Sequence, residues 1–156
     1  MSITKSDDNR ESELISQPQS WQWISFRIAD TRYCHPIRDI EEIFHYTEPT
    51  PVPGAEPGIL GILNIRGSIA TIYSGRALFN LSPAEASEHW RIITLSLDDN
   101  LIGVNVDSVE EIIHFDPEQV EHNHEVSNKE SLVKGTIYVK EKLYSVLDFN
   151  RLIDDL

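Results

Sequence analysis

The alternation of apolar and polar positions along the chain predicts short β-strands joined by tight turns. The clearest case is a central hairpin, in which two apolar runs, residues 59–65 and 69–73, flank Arg66-Gly67-Ser68. β-Branched residues favour strands, and Gly67 can adopt the positive φ that a tight turn needs. Arg66 is the unusual residue here, because it is a cation between apolar strands.

The same pattern returns near the C-terminus. Residues 133–147 are again an apolar strand, a charged turn and a second strand. Gly61 aligns with Gly135 and Ile69 with Leu143 at one constant offset. The match predicts that the fold contains two copies of one unit.

A second pair of segments supports the repeat. Residues 39–45 match residues 108–114, and one small insertion brings this alignment and the hairpin alignment into register. We therefore expect pseudo-repeats at about 21–80 and 90–156, which together form one domain over 21–156. Two copies are too few for a solenoid, so a pair of small packed barrels or sheets is expected.

Each copy is predicted to open with a hairpin and to continue with a short helical element. The hairpins are residues 21–37 and residues 91–106, where apolar residues recur at alternate positions. The helical elements are residues 37–44 and 109–115, because apolar residues recur at spacings of three and four.

The remaining segments read as connections. Residues 47–57 are a stiff proline-rich loop, and residues 81–88 are a short helical link or a loop with a capping signature. Residues 116–132 are predicted to be a loop, and residues 150–156 a terminal helical turn. Residues 1–20 are polar and are expected to be a flexible tail.

Composition narrows the function classes. The net charge is −13, from 13 basic and 26 acidic residues, and no Lys/Arg cluster is present. Nucleic acid and membrane surfaces need such a cluster, so neither is an expected partner. A single cysteine, the lack of an apolar run of ~20 residues and the lack of an apolar signal core predict a cytoplasmic protein.

The chain offers no catalytic constellation. The patterns of a nucleophile elbow and a phosphate-binding loop are both absent from the sequence. Cys34-His35 and His122-x-His124 contain metal-ligand types, but their spacing favours a core cysteine and surface histidines. We expect a protein that is not an enzyme, with no catalytic residue, cofactor or metal.

Two interpretations of Arg66 stay open. Its partner is predicted to be Glu42, either in a structural salt bridge that ties the short helical element to the central hairpin, or in a surface that docks another protein. The two are compatible, since a carboxylate can hold an arginine where a partner needs it.

The run Asn64-Ile65-Arg66-Gly67-Ser68-Ile69 resembles the Asn-Leu-Arg-Gly turn of CheW-like domains, the adaptors of bacterial chemotaxis. The resemblance covers about residues 23–154. Other matches are the opening hairpin, the proline-rich loop, Ile40-x-Glu42-Ile43, Gly61-x-x-Asn64-x-Arg66-Gly67, Gly103-x-x-Val106-Asp107-x-Val109 and Leu147-Asp148-Phe149-x-x-Leu152.

The resemblance implies an all-β fold of two intertwined five-stranded SH3-like barrels, with short helices and a groove between the barrels. It implies a non-enzymatic adaptor that joins the cytoplasmic tip of a chemoreceptor to the regulatory domain of a CheA-type histidine kinase, recruited to membrane-associated arrays. The partner-binding residues that it implies lie in the turn, beside it, and in the groove or the adjoining core: Asn64, Ile65, Arg66, Gly67, Glu42, Ile40, Ile43, Val104 and Val106.

One departure from the family pattern bears on function. Ser74 and Gly75 stand where the family commonly has Asp-Leu, whereas the second copy keeps Asp148. Because the carboxylate is missing at Ser74, we expect weaker hydrogen bonding in the first subdomain or an altered kinase-facing surface. This departure leaves open a paralogue that serves twitching motility or another kinase array. A separate alternative, from a different class of function, is a small-molecule-binding β-barrel domain.

Overall fold

The computed structural model describes residues 21–122 and 132–152, and within these ranges the protein is mainly β. The described strands are β1 (Gln22–Ile28), β2 (Thr31–Pro36), β3 (Ile40–His45), β4 (Ile59–Ile65), β5 (Ser68–Ser74), β6 (Arg91–Leu97), β7 (Asn100–Val106), β8 (Ser108–His114), β9 (Glu121–His122), β10 (Val133–Val139) and β11 (Lys142–Leu147). The helices are short: α1 (Gly75–Leu78) and the 3₁₀ helices Ile37–Asp39, Pro117–Gln119 and Phe149–Leu152. Among the described residues, no helix has the length and apolar character needed to cross a membrane.

The two copies of the repeat exchange hairpins between two sheets. A six-stranded sheet has the order β8-β1-β2-β11-β10-β9, and a five-stranded sheet has the order β3-β6-β7-β5-β4. The opening hairpin of each copy therefore pairs with the later hairpin of the other copy, through the parallel pairs β2–β11 and β7–β5. The prediction of a mainly-β fold built from an internal repeat is confirmed.

The two predicted helical elements are wrong for most of their length. Residues 37–39 form one 3₁₀ turn, but Ile40–His45 and Ser108–His114 are strands β3 and β8. β3 carries a bulge between Ile40 and Glu42, and β8 carries a matching irregularity. An extra residue shifts the alternation of a strand, so Ile40 and Ile43 face the same core at a spacing that resembles a helix.

Two glycines that align in the repeat are required by close backbone contacts. Gly61 follows a bulge in β4, and a Cβ there would overlap the carbonyl of Thr50, whose chain pairs with Ile62. A Cβ at Gly135 would overlap the carbonyl of Glu121 on β9 in the same way. Each glycine therefore allows another backbone segment to lie directly against its hairpin.

The largest core cluster joins the two sheets. It packs Phe26 and Ile28 of β1 with Val104 and Val106 of β7 and with Phe149 after β11. Val104 and Val106 are both 0% exposed, so they belong to the core and present nothing to a partner in this conformation. Of the two places that the resemblance left open for these residues, groove or core, their burial agrees with the core.

The connecting segments agree only in part with their predicted form. Residues 81–88 contain no helix, which matches the loop alternative of the prediction. Residues 116–122 contain a 3₁₀ turn and strand β9 in place of a uniform loop. The terminal turn begins at Phe149, and its predicted end after Leu152 lies outside the described residues. Residues 1–20 lie outside them as well, so the tail stays a prediction.

Candidate functional site

Arg66 and Gly67 form a two-residue turn between β4 and β5. Ile65 pairs with Ser68 across it, and φ is 53° at Arg66 and 87° at Gly67. Positive φ at both central residues is the geometry of tight turns that suit the twist of a hairpin. The side chain of Asn64 stabilises the turn, because its Oδ1 accepts a hydrogen bond from the Gly67 N–H at 2.9 Å.

Glu42 reaches Arg66 from the bulge of β3. A bulge redirects the side chains beside it, and here the buried hydroxyl of Thr94 donates to the Glu42 carbonyl at 3.0 Å. Glu42 Oε1 lies 3.0 Å from Arg66 Nη2. The Arg66 side chain is nevertheless 81% exposed, against 33% for Glu42, so the pair holds the arginine in place while leaving it accessible.

A shallow depression of about 520 Å³ adjoins the ion pair. Its lining combines Arg66 and Glu42 with polar residues, including Ser96 and Asp99, and with Ile69, which is 57% exposed. The depression therefore offers one exposed apolar side chain beside an accessible cation, which suits contact with another protein surface.

The structure places the sequence-predicted residues in two groups. Asn64, Arg66, Gly67 and Glu42 meet at one end of the five-stranded sheet. Ile65, Ile40 and Ile43 are half-buried and pack against core clusters, so they support the turn and the bulge more than they extend outward. The predicted ion pair between Arg66 and Glu42 is present, but Glu42 lies on a bulged strand and not on a helix.

A second ion pair was missed in the sequence. Arg76 on α1 contacts Asp107 through Nε to Oδ1 at 3.2 Å and Nη2 to Oδ2 at 2.6 Å. Asp107 Oδ2 also accepts from the Ala29 N–H at 2.9 Å, which links the five-stranded sheet to the β1–β2 turn. The signal was available, because Asp107 stands in the Gly103-to-Val109 motif.

The loss of hydrogen bonding predicted at Ser74 does not occur at the helix cap. The Ser74 hydroxyl accepts from the Ala77 N–H at 3.2 Å, as Asp148 Oδ1 accepts from the Asn150 N–H at 3.0 Å in the second copy. A hydroxyl therefore replaces the carboxylate in the same structural role.

The candidate metal ligands are not assembled into a site in the described residues. Cys34 and His35 are fully buried, and burial raises the pKa of the Cys34 thiol. Burial lowers the pKa of His35 to about 4, although the carboxylates of Asp39 and Asp148 oppose this shift. His122 is exposed, and His124 lies outside the described residues. No group of three metal-ligating side chains occurs in the described part of the chain.

These features define a mainly-β domain with two interleaved sheets and an accessible charge pair. A family model described as the CheW-like domain matches residues 22–156. The chain therefore belongs to the CheW-like family, the adaptors of chemotaxis signalling.

Individual relatives agree with this assignment. The chain is 29% identical to the chemotaxis protein CheW of Bacillus subtilis over 84% of its own length and 85% of the relative. It is 26% identical to the protein PilI of Pseudomonas aeruginosa, over 62% of its length and 54% of the relative. The crystal structure of the scaffolding protein TtCheW from Thermoanaerobacter tengcongensis matches with a TM-score of 0.76 and 25% identity, over 83% of this chain and 89% of that chain.

Proposed function

We propose that this protein is a non-enzymatic adaptor that couples the cytoplasmic tip of a chemoreceptor to the regulatory domain of a CheA-type histidine kinase. It works in the cytoplasm and is recruited to membrane-associated receptor arrays. Membership of the CheW-like family supports this role, as does the scaffold named in the structural match. The docking surface consists of Asn64, Arg66, Gly67 and Glu42, with Ile69 beside them.

The exposed Arg66–Glu42 pair carries the proposal. An ion pair with an arginine that is 81% exposed contributes little to stability, on the order of 0.2–1 kcal/mol. Glu42 nevertheless holds the Arg66 side chain in one place on the surface. An exposed arginine that is fixed at so little gain in stability is better explained by contact with a partner than by folding.

Binding through this surface is expected to be weak for each single contact. Transient signalling interfaces bury modest areas, and the depression beside Arg66 is shallow and mixed in polarity. In an array, many linked contacts raise the overall affinity without new chemistry at each one. An adaptor of this kind therefore depends on the placement of a few side chains.

Size-exclusion co-elution tests the coupling. The full chain is mixed with the kinase regulatory domain, with a receptor signalling-tip fragment, and with both. Wild type should bind both partners, and Arg66→Ala should weaken coupling while leaving the circular dichroism spectrum and unfolding midpoint nearly unchanged. Arg66→Glu should be worse, because it places like charge beside Glu42. Normal coupling by Arg66→Ala would rule out the docking role.

Lys140 supplies a matched control, because it occupies the position of Arg66 in the second hairpin with a φ of 50°. Lys140→Ala removes a cation from the same kind of turn and should leave coupling intact. Glu42→Ala separates the two interpretations of the pair. If Glu42→Ala and Arg66→Ala both lower the unfolding midpoint strongly and by similar amounts, the pair is mainly structural.

The match to protein PilI favours a second candidate, the same adaptor role in another kinase array, such as one for twitching motility. Co-elution with kinases from each array of the same organism distinguishes the two. Binding only to the non-chemotaxis kinase would select the second candidate.

A further inference from the structure

A crevice lies on the five-stranded sheet, away from Arg66, between α1 and the segment that leads into β6. Its volume is about 210 Å³. Apolar groups form most of its wall: Tyr46, Leu60, Pro83, Ala84 and Trp90. The rings of Tyr46 and Trp90 meet edge to face, with centroids 5.1 Å apart and planes at 88°, and the Tyr46 N–H donates to the Trp90 carbonyl at 3.2 Å.

Asn105 is the polar group that makes this crevice unusual. It lies on β7 between Ser74 of β5 and Ile92 of β6, lines the crevice and is only 7% exposed. Its Oδ1 is buried without a hydrogen-bond partner among the described residues. A buried amide oxygen without a partner is costly, and rotation of the amide can present either its oxygen or its nitrogen to the crevice. Asn105 therefore can accept a hydrogen bond from a bound molecule.

The charged residues of the crevice are already paired. Arg76 and Asp107 form two hydrogen bonds with each other, and Arg76 Nη1 donates to the Ser82 carbonyl at 3.1 Å. The crevice thus offers neither an uncompensated cation nor an uncompensated anion. A charged ligand would lose hydration without gaining a partner of opposite charge, so a neutral ligand is favoured.

We infer that this crevice binds a small neutral aromatic molecule that carries one N–H or O–H donor. The rings of Tyr46 and Trp90 suit an aromatic face, and the Asn105 amide suits the donor. A dry cavity of about 150 Å³ is large enough for benzene, so the crevice has room for one ring or two fused rings. This site is separate from the proposed docking surface and does not depend on it.

Indole and 1-methylindole form a matched pair of probes, because they differ in the N–H donor. The ¹⁵N-labelled full chain is titrated with each while the resonances of the Asn105 side-chain amide and the Trp90 ring N–H are followed. Indole should bind saturably, with a Kd on the order of 0.1–1 mM for so small a ligand. 1-Methylindole should bind about tenfold more weakly, the value of one hydrogen bond to a buried group. The anion indole-3-acetate should bind more weakly than indole.

One variant at the site and two controls locate it. Asn105→Leu should weaken indole binding about tenfold and bring the affinities of the two probes together. Asn100→Ala, which changes an exposed asparagine at the start of the same strand, should bind indole as wild type does, and so should Arg66→Ala. The comparison of probes on wild type still tests the inference if Asn105→Leu does not fold. Equal affinities of the two probes for wild type, or no saturable shift at Asn105 and Trp90, would overturn it.

Discussion

The β4–β5 and β10–β11 hairpins occupy equivalent places in the two copies, yet only one carries the charge pair. Both begin with a bulge and a glycine that lies against the carbonyl of another backbone segment, and both turn through two residues with positive φ. Arg66-Gly67 reaches Glu42, whereas in the described part of the chain Lys140-Glu141 has no ion-pair partner. Backbone geometry is thus shared by the copies, and side-chain chemistry is not.

The cross-strand neighbours of the two turns differ in the same way. Asn64 faces Ile69 in the first hairpin, and Tyr138 faces Leu143 in the second. Asn64 accepts a hydrogen bond from the turn, while Tyr138 is 72% exposed. The features that the two copies share are therefore the ones that the fold requires. The positions at which the copies differ are available for specific contacts.

The largest expected effect on stability concerns Gly61 and Gly135, the two glycines that lie against another backbone segment. Gly61→Ala and Gly135→Ala should each destabilise the protein by about 2–3 kcal/mol, because the new Cβ overlaps a backbone carbonyl that cannot move away easily. Gly61→Ala should cost roughly 1 kcal/mol more, since Gly61 also has a φ of 150°. Urea unfolding of both variants measures the difference, and equal losses would mean that the strain at Gly61 contributes nothing.

The next effect distinguishes the two sheets by the pH dependence of stability that a buried histidine gives to one of them. Cys34 pairs with Val146 and Gly103 pairs with Ile72, so His35 and Val104 take equivalent buried places. The pKa of His35 is lowered to about 4 by burial, and the nearby Asp39, Asp148 and Lys134 modulate it. The unfolded chain therefore binds an additional proton between about pH 6.5 and 4, and stability falls as pH falls through that window.

His35→Leu should remove this part of the pH dependence, whatever its effect at neutral pH. Unfolding midpoints at pH 4.5, 5.5, 6.5 and 7.5 give the slope for wild type and variant. The exposed His114 is the control, and His114→Leu should keep the wild-type slope. Identical slopes for wild type and His35→Leu would contradict the prediction.

A smaller effect tests the caps that follow the two hairpins. Ser74→Ala and Asp148→Ala should each cost about 1 kcal/mol, because each side chain accepts a hydrogen bond from a free backbone N–H. Ser74→Asp should be close to neutral, as it restores the acceptor found in the other copy. Thermal unfolding of the three variants is sufficient, and a strongly destabilised Ser74→Asp would show that the first copy excludes a carboxylate there.

The smallest effect lies in the turns themselves. Gly67→Ala should lower stability by about 1 kcal/mol, because the positive φ at this position is unfavourable for alanine. Glu141 takes the place of Gly67 in the second turn and has a φ of 69°. Glu141→Gly should raise stability by up to about 1 kcal/mol, because glycine adopts this φ without strain. Chemical unfolding of the pair checks the sign, and a loss in Glu141→Gly would indicate that its side chain makes a stabilising contact.

Strand alternation and repeat alignment were sufficient to predict both sets of hairpins. The Arg66–Glu42 partnership was predicted instead from the need of an arginine for a carboxylate partner. The bulges were not predictable from spacing, because Ile40 and Ile43 produce the same three-residue interval on a bulged strand as on a helix. The repeat contained a further clue. Ser25 and Thr94 are buried hydroxyls that bond to the carbonyls of Glu111 and Glu42, and so stabilise the two bulges alike.

The site was harder to predict than the fold, since it depends on burial. Val104 and Ile69 are both aliphatic residues on strands, but one is 0% exposed and the other 57%. Their exposure is set by which strands cross behind them, and that depends on pairings between distant parts of the chain. The Asp107–Arg76 contact was missed for the same reason, because α1 and the end of β7 meet only in the assembled fold.

The exchange of hairpins between sheets has a consequence for biosynthesis. β2 emerges from the ribosome well before its parallel partner β11, because more than 100 residues separate the paired Cys34 and Val146. Until then one edge of β2 is unpaired, and a strand edge of this kind can pair with another nascent chain. The large separation between partners also slows folding, because a long loop must close before the contact forms. We therefore expect neither half, expressed alone, to fold, and co-expressed halves to recover the native protein by pairing β2 with β11 and β5 with β7.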